Sequence, residues 1–394
     1  MTQSHDVLIV GGGTAGITVA AQLRRRRSDI DVAVIEPSDT HYYQPGFTLA
    51  GAGVARLPEL SRPTARVMPD GVTWHRAAVT AVDPAQSRVG LDDGRELGYS
   101  HLVLAPGLTV DWDAIPGVAE ALGRDGVCSN YSPGTVGYTW ECLRDHRGGR
   151  LVFTQPPMPI KCPGAPQKIA YLAADHLRRQ GHRDEAQIDF YTAGKALFSV
   201  PEFVPPLERV AERHGIDVHY GRRLTAVDGA RREATFTGED GDETVGYDVL
   251  HVTPPQRAPA FVREGPLADE AGWIAVDKAT LRHPDYPAVF ALGDACNTPN
   301  SKTAAAVRRQ APVVVDGLLA ELDGRTSEAA YDGYGACPLT TAYGRVLLAE
   351  FRYGGELAPT FPGKPTEERR SMWHFKKDFL PRFYWHHLLR GGTL

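Results

Sequence analysis

The sequence predicts an α/β fold with two tandem doubly wound domains followed by an aromatic-rich C-terminal cap. Residues 6–36 show a strand, a glycine-rich turn, a helix and a second strand, which is the pattern of a parallel sheet. Residues 151–194 repeat the order of strand, helix and strand. Two further apolar strands, at 101–107 and 288–297, complete the first unit although they lie far apart in the chain. A duplicated Rossmann-like fold, with the second unit inserted into the first, explains this order.

We therefore divide the chain into three parts. The first, discontinuous domain comprises 1–110 and 271–330, and we expect it to bind a dinucleotide. The second Rossmann-like domain comprises 111–270, and the cap comprises 331–394. Two such domains in one chain are typical of the flavoproteins that bind two dinucleotides.

The first turn carries a complete dinucleotide-binding fingerprint. The strand DVLIV (6–10) ends at Gly11, which allows the tight turn, and Gly13 lets the backbone approach a pyrophosphate. Gly16 permits close packing of helix on strand, and Glu36, at the end of the second strand, can accept hydrogen bonds from a ribose. The helix N-terminus offers free N–H groups and the positive end of its dipole to the phosphates.

A later strand indicates that the dinucleotide is FAD. The apolar strand at 288–297 contains Gly293 and Asp294 at its end, where an acid is well placed to bond the ribityl chain of a flavin. The next helix is predicted to hold Lys302 and Thr303 in its first turn. Its N-terminus would stabilise the negative charge of a reduced flavin. Asp294 alone could be a turn residue or a helix N-cap, but the combination with the first turn favours a flavin.

The second turn has lost the features that bind a nicotinamide nucleotide. Residues 155–168 read QPPMPIKCPGAPQK, without GxGxxG, and the next strand lacks a terminal acid for a ribose. Hydride delivery from NADH is therefore disfavoured. Cys162 instead precedes a helix that Pro166 can start, and Lys161 and Lys168 flank it. A helix N-terminus and nearby cations favour the reactive thiolate, whereas the alternative for Cys162 is a buried packing role.

A second cysteine gives Cys162 a partner. Cys337 is also followed by a proline, and two thiols near one flavin form a dithiol–disulfide relay by thiol–disulfide exchange. Cys296 competes for this role, but its position at a strand end suggests flavin contact or packing. Cys128 and Cys142 are expected to take no part. No spacing of cysteine and histidine suits a structural zinc, so we expect no metal site.

Composition limits the other classes of function. A net charge of −5 over 394 residues gives no electrostatic case for nucleic acid. The first strand begins almost at once, so we expect no leader peptide, and no uncharged apolar run is long enough to span a bilayer. We therefore expect a cytoplasmic protein and leave open a peripheral contact with the inner face of the cell membrane.

Several stretches carry a family resemblance that extends from the first strand to about Arg390, among them VIEPSDTHYYQPGFTLAGAG, SNYS, KCPGAPQKIAYL, YPAVFALGD and YDGYGACPL. With them the sequence is similar to sulfide:quinone oxidoreductases, in the branch that includes the mitochondrial enzyme. The resemblance implies FAD as cofactor and Cys162 with Cys337 as the redox pair. The flavin contacts that it implies are Gly13, Ala15, Gly16, Glu36, Gln44, Val79, Asp294, Lys302 and Thr303.

The resemblance implies an enzyme that oxidises hydrogen sulfide and passes the electrons through FAD to a quinone. We expect the resting cysteines to form a disulfide, with room for an extra sulfur between them as the family suggests. Hydrosulfide then attacks the sulfur on Cys337 and leaves a persulfide there, while Cys162 departs as a thiolate beside the flavin. A second nucleophile, which could be sulfite, glutathione or another sulfide, removes the sulfane sulfur.

Two other functions stay open at the level of sequence. One is a soluble sulfide or persulfide dehydrogenase with another electron acceptor, which the short tail favours because chains of the family usually continue further. The other is a flavin-bound sulfide or redox sensor that signals without turnover. A type II NADH dehydrogenase is disfavoured because the second nucleotide turn is lost.

The C-terminal segment 371–391 is the expected route for a quinone. It interleaves aromatic side chains with the cations Lys376, Lys377, Arg382 and Arg390, which suits a surface in the lipid headgroup region. A capping helix packed on the protein core explains this composition equally well. The candidate quinone-lining residues are Tyr343, Phe351 and Tyr384.

Overall fold

The computed structural model describes residues 3–393. Residues 1, 2 and 394, at the outer ends of the predicted first domain and cap, lie outside the described residues. The strands are β1 (Gln3–Val10), β2 (Val32–Ile35), β3 (Thr40–Tyr42), β4 (Ser61–Pro63), β5 (Val72–His75), β6 (Val79–Asp83), β7 (Arg88–Leu91), β8 (Glu96–Leu104), β9 (Thr109–Val110), β10 (Val127–Cys128), β11 (Gly149–Gln155), β12 (Ala186–Thr192), β13 (Ile216–Tyr220), β14 (Arg223–Asp228), β15 (Glu233–Gly238), β16 (Gly241–Gly246), β17 (Val249–His251), β18 (Gln256–Arg257), β19 (Val289–Ala291), β20 (Gly335–Ala342), β21 (Arg345–Phe351) and β22 (Glu368–Arg369). The helices are α1 (Thr14–Arg26), α2 (Phe47–Gly51), α3 (Thr64–Val67), α4 (Val118–Ala121), α5 (Val136–Arg144), α6 (Ala165–Gln180), α7 (Val204–His214), α8 (Ala260–Arg263), α9 (Ala304–Leu322), α10 (Arg370–His374) and α11 (Leu380–His386).

The first sheet is built around the strand that precedes the glycine-rich turn. Its parallel part has the order β5–β2–β1–β8, and the C-terminal half of β8 also pairs in parallel with β19. The antiparallel strands β7 and β6 extend the sheet from the first half of β8. Residues 7–10 of β1 are buried, as expected for a parallel strand covered on both faces. The pairing of β19 brings the turn at Gly293 and Asp294 to the same sheet edge as the first turn.

The second sheet has the parallel order β10–β17–β11–β12–β13 and carries the antiparallel sheet β14–β15–β16 beside it. A loop over residues 156–164 joins β11 to α6. Helix α6 begins at Ala165 with a proline in its first turn, as the sequence predicts. The two Rossmann-like sheets confirm the predicted α/β fold class.

The C-terminal part adds a third sheet and a helical segment. Strands β20 and β21 form a hairpin that β22 extends. Helix α10, a π-helical turn at Phe375–Phe379 and α11 then follow. Tyr384 and Trp385 of α11 pack with Ile17 and Tyr43 of the first domain. This half of the segment is therefore a cap packed on the protein, which was one of the two alternatives for its composition.

The hydrophobic cores do not follow the predicted boundaries at every point. Ala258, Val262 and Leu267 lie within 111–270, yet they belong to the core around the first sheet. Helices α6 and α7 share a second core with β20 and β21 of the cap. The division into three domains stays a prediction, because packing continues across its boundaries.

Candidate active site

The glycine-rich turn has the geometry that a dinucleotide requires. Gly11 has a φ of 98°, and a Cβ there would lie 2.3 Å from the carbonyl oxygen of Ala105. A Cβ on Gly16 would lie 1.8 Å from the carbonyl oxygen of Gly11, so helix α1 can approach β1 only with glycine here. A Cβ on Gly13 would meet no atom within 4 Å. The turn is therefore closed on the sheet side and open where a pyrophosphate would bind.

Glu36 is held at this turn by the backbone. Its carboxylate accepts hydrogen bonds from the N–H of Gly12 at 2.8 Å and from the N–H of Ser38 at 2.8 Å. A Cβ on Gly12 would lie 2.8 Å from the Cβ of Glu36, which explains a glycine that the fingerprint does not require. The acid is thus fixed at the end of β2, where a ribose of a bound dinucleotide is expected.

The turn after β19 faces the same place. Gly293 has a φ of 84°, and a Cβ there would lie 3.5 Å from the Cβ of Ala15 in helix α1. The half-buried carboxylate of Asp294 accepts no hydrogen bond from any group in residues 3–393. Burial raises its pKa, and the positive charges of Lys302 and Lys161 oppose this effect. An unbonded acid between two cations fits the hydroxyl groups of a ribityl chain.

Helix α9 starts later than the sequence predicted. Thr303 is its N-cap, with the hydroxyl accepting from the N–H of Ala306 at 3.3 Å, and Lys302 precedes the helix. The Lys302 ammonium donates to the carbonyl oxygen of Cys296 at 2.8 Å and lies over the ring of Trp273. Only the predicted start of this helix is wrong. The N-terminus of α9 still follows the turn at Asp294, as expected.

Two residues of the SNYS stretch supply further evidence for a missing group at this site. Both amide atoms of the buried Asn130 have no hydrogen-bond partner, and the buried hydroxyl of Tyr131 has the side chain of Thr253 as its polar neighbour. Burial raises the pKa of Tyr131, and the charges of Cys162 and Cys337 add to this effect. Buried polar atoms are nearly always satisfied, so these atoms fit a site completed by a polar ligand. The first turn, Glu36, Asp294 and these atoms together fit FAD.

The structure brings the two predicted redox cysteines together. The Sγ atoms of Cys162 and Cys337 lie 3.6 Å apart, although 175 positions separate them in the chain. This is longer than the bond of about 2.05 Å in a disulfide, but close enough for one to form. Cys337 is fully buried on β20, whereas Cys162 is half-buried in the loop 156–164. The pair is therefore described in its dithiol state.

The loop that carries Cys162 is fixed to the predicted flavin contacts. Cys162 has a φ of 51°, a left-handed conformation that is strained for a residue with a side chain. Its N–H donates to the carbonyl oxygen of Lys302 at 2.9 Å. The ammonium of the preceding Lys161 donates to the side-chain oxygen of Gln44 at 2.8 Å. Gln44, Lys161, Cys162 and Lys302 thus form one continuous edge of the site.

Gly164 makes the meeting of the two cysteines possible. A Cβ on Gly164 would lie 2.7 Å from Sγ of Cys337 and 2.4 Å from Cδ2 of Leu339. The sequence alone gives no sign of this requirement, because it depends on a strand that lies far along the chain.

Lys168 adds a positive charge beside the cysteine pair. Its buried ammonium donates to Sγ of Cys162 at 3.0 Å. The hydrogen bond from Cys337 lowers the pKa of Cys162 well below its usual range against the opposing effect of burial, and Lys168 lowers it further. The same sulfur–sulfur hydrogen bond and burial raise the pKa of Cys337. Cys162 is therefore the thiolate, and Cys337 is the thiol that donates to it.

Lys376 corrects one expectation from the sequence. It was grouped with the cations of a membrane-facing surface, but its side chain is buried in the π-helical turn. Burial lowers its pKa to about 7, and the positive charge of Lys168 adds to the lowering. The charges of Cys162 and Cys337 act in the opposite direction, so Lys376 lies within the field of the cysteine pair. The sequence pattern does not distinguish Lys376 from the neighbouring Lys377, which is exposed.

The three candidate quinone-lining residues lie in different surroundings. The Tyr343 hydroxyl donates to the carbonyl oxygen of Ala52 at 2.7 Å. Phe351 is buried against Phe198. The Tyr384 hydroxyl bonds Oγ1 of Thr14 at 2.9 Å and Nε2 of His41 at 2.6 Å, beside the glycine-rich turn. Within residues 3–393 none of these three rings stacks on another.

The remaining predicted residues have structural surroundings that are compatible with their roles. Val79 starts β6 and packs on the first core. Cys296 is fully buried, and burial raises its pKa to about 12, which makes it a poor competitor for the thiolate role. In the described part of the chain no three His, Cys, Asp or Glu side chains are grouped to hold a metal ion. Between residues 3 and 393 there is also no helix with the length and apolar character needed to cross a membrane.

Comparison with known proteins adds independent evidence. The pyridine nucleotide-disulphide oxidoreductase family matches residues 5–131. The chain is 40% identical to the mitochondrial sulfide:quinone oxidoreductase of Mus musculus over 390 residues, covering 98% of this chain and 87% of the relative. It is 39% identical to the mitochondrial enzyme of that name from Dictyostelium discoideum, covering 98% of this chain and 86% of the relative.

A solved structure is similar to the whole fold. The sulfide:quinone oxidoreductase of Aquifex aeolicus superposes with a TM-score of 0.84, covering 99% of this chain and 92% of the other, at 18% identity. At that identity the similarity concerns the fold alone. Taken with the extensive match to the curated relatives, and with the paired cysteines beside a dinucleotide turn, it leads to one conclusion: this chain belongs to the sulfide:quinone oxidoreductase family of FAD-binding flavoproteins.

Proposed function

We propose that this chain oxidises hydrogen sulfide to sulfane sulfur with the Cys162–Cys337 pair and passes two electrons through FAD to a quinone. The observation that carries the proposal is the 3.6 Å separation of the two sulfur atoms, with the Lys168 ammonium 3.0 Å from one of them. The pKa of Cys162 is lowered and that of Cys337 is raised, although the Lys168 charge acts on both sulfur atoms. The pair is thus asymmetric before any substrate arrives.

This asymmetry favours one direction of attack on the oxidised pair. Hydrosulfide forms a bond to the sulfur of Cys337, the Cys337–Cys162 bond breaks, and Cys162 leaves as a thiolate. A thiol with a low pKa is the better leaving group in such an exchange. Lys168 stabilises the charge that develops on Cys162, and the persulfide remains on Cys337.

Two further steps complete the cycle. A nucleophile of the class of sulfite, glutathione or sulfide takes the outer sulfur from Cys337, which leaves a thiolate there. The two cysteines then form their bond again and release two electrons. FAD, when bound, accepts these two electrons and supplies them to the quinone. Gly13, Glu36 and Asp294, with the N-termini of α1 and α9, would hold it.

An anaerobic titration tests this proposal. Sulfide is expected to bleach the flavin absorbance of the purified holoenzyme, and a water-soluble quinone is expected to restore it. NADH is expected to do neither, since the turn after β11 lacks the phosphate-binding glycines. Bleaching by NADH but not by sulfide would refute the proposal.

The same titration separates the two alternatives. Faster reoxidation by a soluble protein acceptor such as cytochrome than by quinone would indicate a dehydrogenase with a non-quinone acceptor. Reduction by sulfide without reoxidation by any acceptor would indicate a sensor. Either result would replace the quinone step of the proposal and leave the cysteine chemistry in place.

We also propose that the protein works from the cytoplasmic side with peripheral contact at a membrane. Phe379 is 48% exposed and stacks between Phe375 and Phe383, while Lys377 and Arg382 are exposed on the same segment. Exposed aromatics beside cations suit the lipid headgroup region. Flotation with anionic liposomes tests this: Phe379→Ser is expected to reduce flotation, and unchanged flotation would exclude this contact.

A further inference from the structure

A chain of polar side chains joins the C-terminal segment to the glycine-rich turn, and the chemistry above gives it no role. His41 of β3 is 5% exposed and Tyr384 of α11 is 2% exposed. Nδ1 of His41 lies 2.9 Å from the carbonyl oxygen of Gly12, and Nε2 lies 2.6 Å from the Tyr384 hydroxyl. That hydroxyl lies 2.9 Å from Oγ1 of Thr14, the first residue of α1. The chain therefore begins and ends at the turn where a pyrophosphate is expected.

The direction of each hydrogen bond follows from the carbonyl at one end of this chain. A carbonyl oxygen has no proton to donate, so Nδ1 of His41 donates to Gly12. Burial lowers the pKa of His41 to about 4, so the ring is uncharged at neutral pH and Nε2 is an acceptor. Burial raises the pKa of Tyr384, which keeps its proton and donates it to Nε2. The Tyr384 oxygen then accepts from the hydroxyl of Thr14.

The chain acts on a stretch of backbone that has no side chain to restrain it. Gly12 lacks a Cβ, so its polar groups are held by their partners: its N–H donates to Oε2 of Glu36 at 2.8 Å, and its carbonyl accepts from His41. The peptide bond between Gly12 and Gly13 is trans, and the carbonyl and N–H of a trans peptide point in opposite directions. The N–H of Gly13 therefore points away from His41. It finds no acceptor among residues 3–393, and Gly13 is exposed.

Loss of the bond from His41 would free this peptide group to rotate. A rotated peptide would direct the Gly12 carbonyl oxygen, instead of the Gly13 N–H, to the open side of the turn. An N–H attracts a phosphate, whereas the partial negative charge of a carbonyl oxygen repels it. The orientation of one imidazole ring thus decides which of the two groups the turn offers.

We propose that His41 is a positioning residue for FAD, which holds the N–H of Gly13 toward the pyrophosphate through its bond to the Gly12 carbonyl. Tyr384 keeps the His41 ring in the tautomer that this bond requires, so the C-terminal segment contributes to retention of the cofactor. This role goes beyond the proposed function, because holding FAD does not require turnover of sulfide.

The rate at which the holoenzyme releases FAD tests the role of His41. The protein is diluted, and the released FAD is separated by ultrafiltration at set times and measured by its fluorescence. His41→Phe keeps an aromatic ring but removes the donor, so release is expected to be about 5- to 100-fold faster, as for a buried carbonyl left without a partner. Tyr384→Phe is expected to speed release by about 2- to 10-fold, because the proton of the His41 ring is then no longer confined to Nδ1.

Two amide variants separate positioning from packing. The amide of asparagine lies close to the position of Nδ1, so His41→Asn keeps a donor for the Gly12 carbonyl and is expected to release FAD within about 3-fold of the wild-type rate. The longer side chain of His41→Gln places its amide closer to the position of Nε2 and leaves the carbonyl without a donor. This variant is expected to behave like His41→Phe.

His214→Phe is the matched control. His214 is also buried, and its Nε2 donates to the carbonyl oxygen of Thr341 at 2.7 Å, outside the glycine-rich turn. This variant is expected to lower the free energy of unfolding but to release FAD at the wild-type rate. In the His41→Phe background, Tyr384→Phe is expected to add no further acceleration, since it acts on the cofactor only through His41.

Three results would overturn the inference. They are wild-type release from His41→Phe and Tyr384→Phe, equal acceleration in His41→Asn and His41→Gln, or release from His214→Phe as fast as from His41→Phe. Tyr384→Phe differs from the wild type by one oxygen atom, so it decides the matter if substitutions at His41 prevent folding. Sulfide-driven bleaching of the wild type is measured on the same preparation. Bleaching with unchanged release from the variants loses only this inference, whereas the expected order of release without bleaching would count against the proposed function alone.

Discussion

The same supersecondary unit occurs twice in this molecule and serves two different anions. After β1 the turn has glycines at residues 11–13, and the open side of Gly13 leaves the N-terminus of α1 free for a phosphate. After β11 the connection occupies 156–164, where prolines remove backbone donors and Cys162 takes a left-handed conformation. A buried lysine, Lys168, then stabilises a thiolate beside the helix.

In both units the helix N-terminus supplies only a preference for negative charge. Which anion is bound depends on the residues that fill the preceding loop. Glycines expose backbone N–H groups to a ligand from outside, whereas the longer loop places an anion of the protein itself at the corresponding position. At the second turn a thiolate of the chain therefore stands where the first turn would hold a nucleotide phosphate.

The largest expected effect comes from removing either sulfur atom of the cysteine pair. Cys162→Ser and Cys337→Ser are each expected to slow sulfide-driven flavin reduction by roughly 10³-fold or more, as for groups that act as one catalytic unit. Stopped-flow absorbance under anaerobic conditions measures the rate. Cys142→Ser is the control and is expected to retain the wild-type rate. Full activity in either of the first two variants would disprove the relay.

Gly164→Ala tests the close contact that assembles the second site. Because the new Cβ would lie 2.7 Å from Sγ of Cys337, we expect the sulfur atoms to move apart. The rate of flavin reduction is then expected to fall by about 10- to 100-fold, as for a displacement of about 1 Å at a reacting centre. Gly137→Ala, where a Cβ would meet nothing within 4 Å, is the control. Equal rates would show that the contact is not required.

Lys376→Met tests the pH dependence of the thiolate. Lys376 has a pKa of about 7, so it is positively charged below that pH and stabilises Cys162 there; this contribution is lost as the pH rises through about 7. The ratio of wild-type to variant rate is expected to be about 3- to 10-fold at acidic pH and to approach one at alkaline pH.

The ionisation of sulfide affects both proteins equally, so the ratio isolates the lysine. Lys377→Met provides a matched control, because the neighbouring Lys377 is exposed and pairs with Asp378. Its ratio is expected to stay flat with pH. A flat ratio for Lys376→Met as well would remove this lysine from the site.

The smallest effect on catalysis is expected at the first turn. Tyr384→Phe removes the hydrogen bonds to Thr14 and His41, so the free energy of unfolding is expected to fall by about 1–3 kcal/mol. Denaturant titration of the holoenzyme measures this loss. The rate of flavin reduction by sulfide is expected to change little, since the phenol contacts the nucleotide turn and not the sulfur atoms. A large loss of rate with unchanged stability would instead support the predicted contact with quinone.

Local chemistry explains what could be predicted for each turn. The spacing of Gly11, Gly13 and Gly16 with Glu36 involves one strand–helix–strand unit, so its geometry follows from residues close together in sequence. The position of Cys162 before a helix with Pro166 is equally local, and the structure places α6 there. The pairing with Cys337 depends on chemical reasoning and family resemblance, since no local pattern joins the loop 156–164 to strand β20 far along the chain.

The sequence by itself determined the α/β class, the glycine-rich turn and the place of Cys162 just before a helix, because each depends on backbone conformations set within a few residues. Only the tertiary structure decided that Lys376 is buried near the thiolate, that Gly164 must lack a side chain and that Tyr384 bonds the first turn. These contacts join segments far apart in the chain. Their strength comes from burial and charge proximity, which exist only after the sheets and the C-terminal segment have packed together.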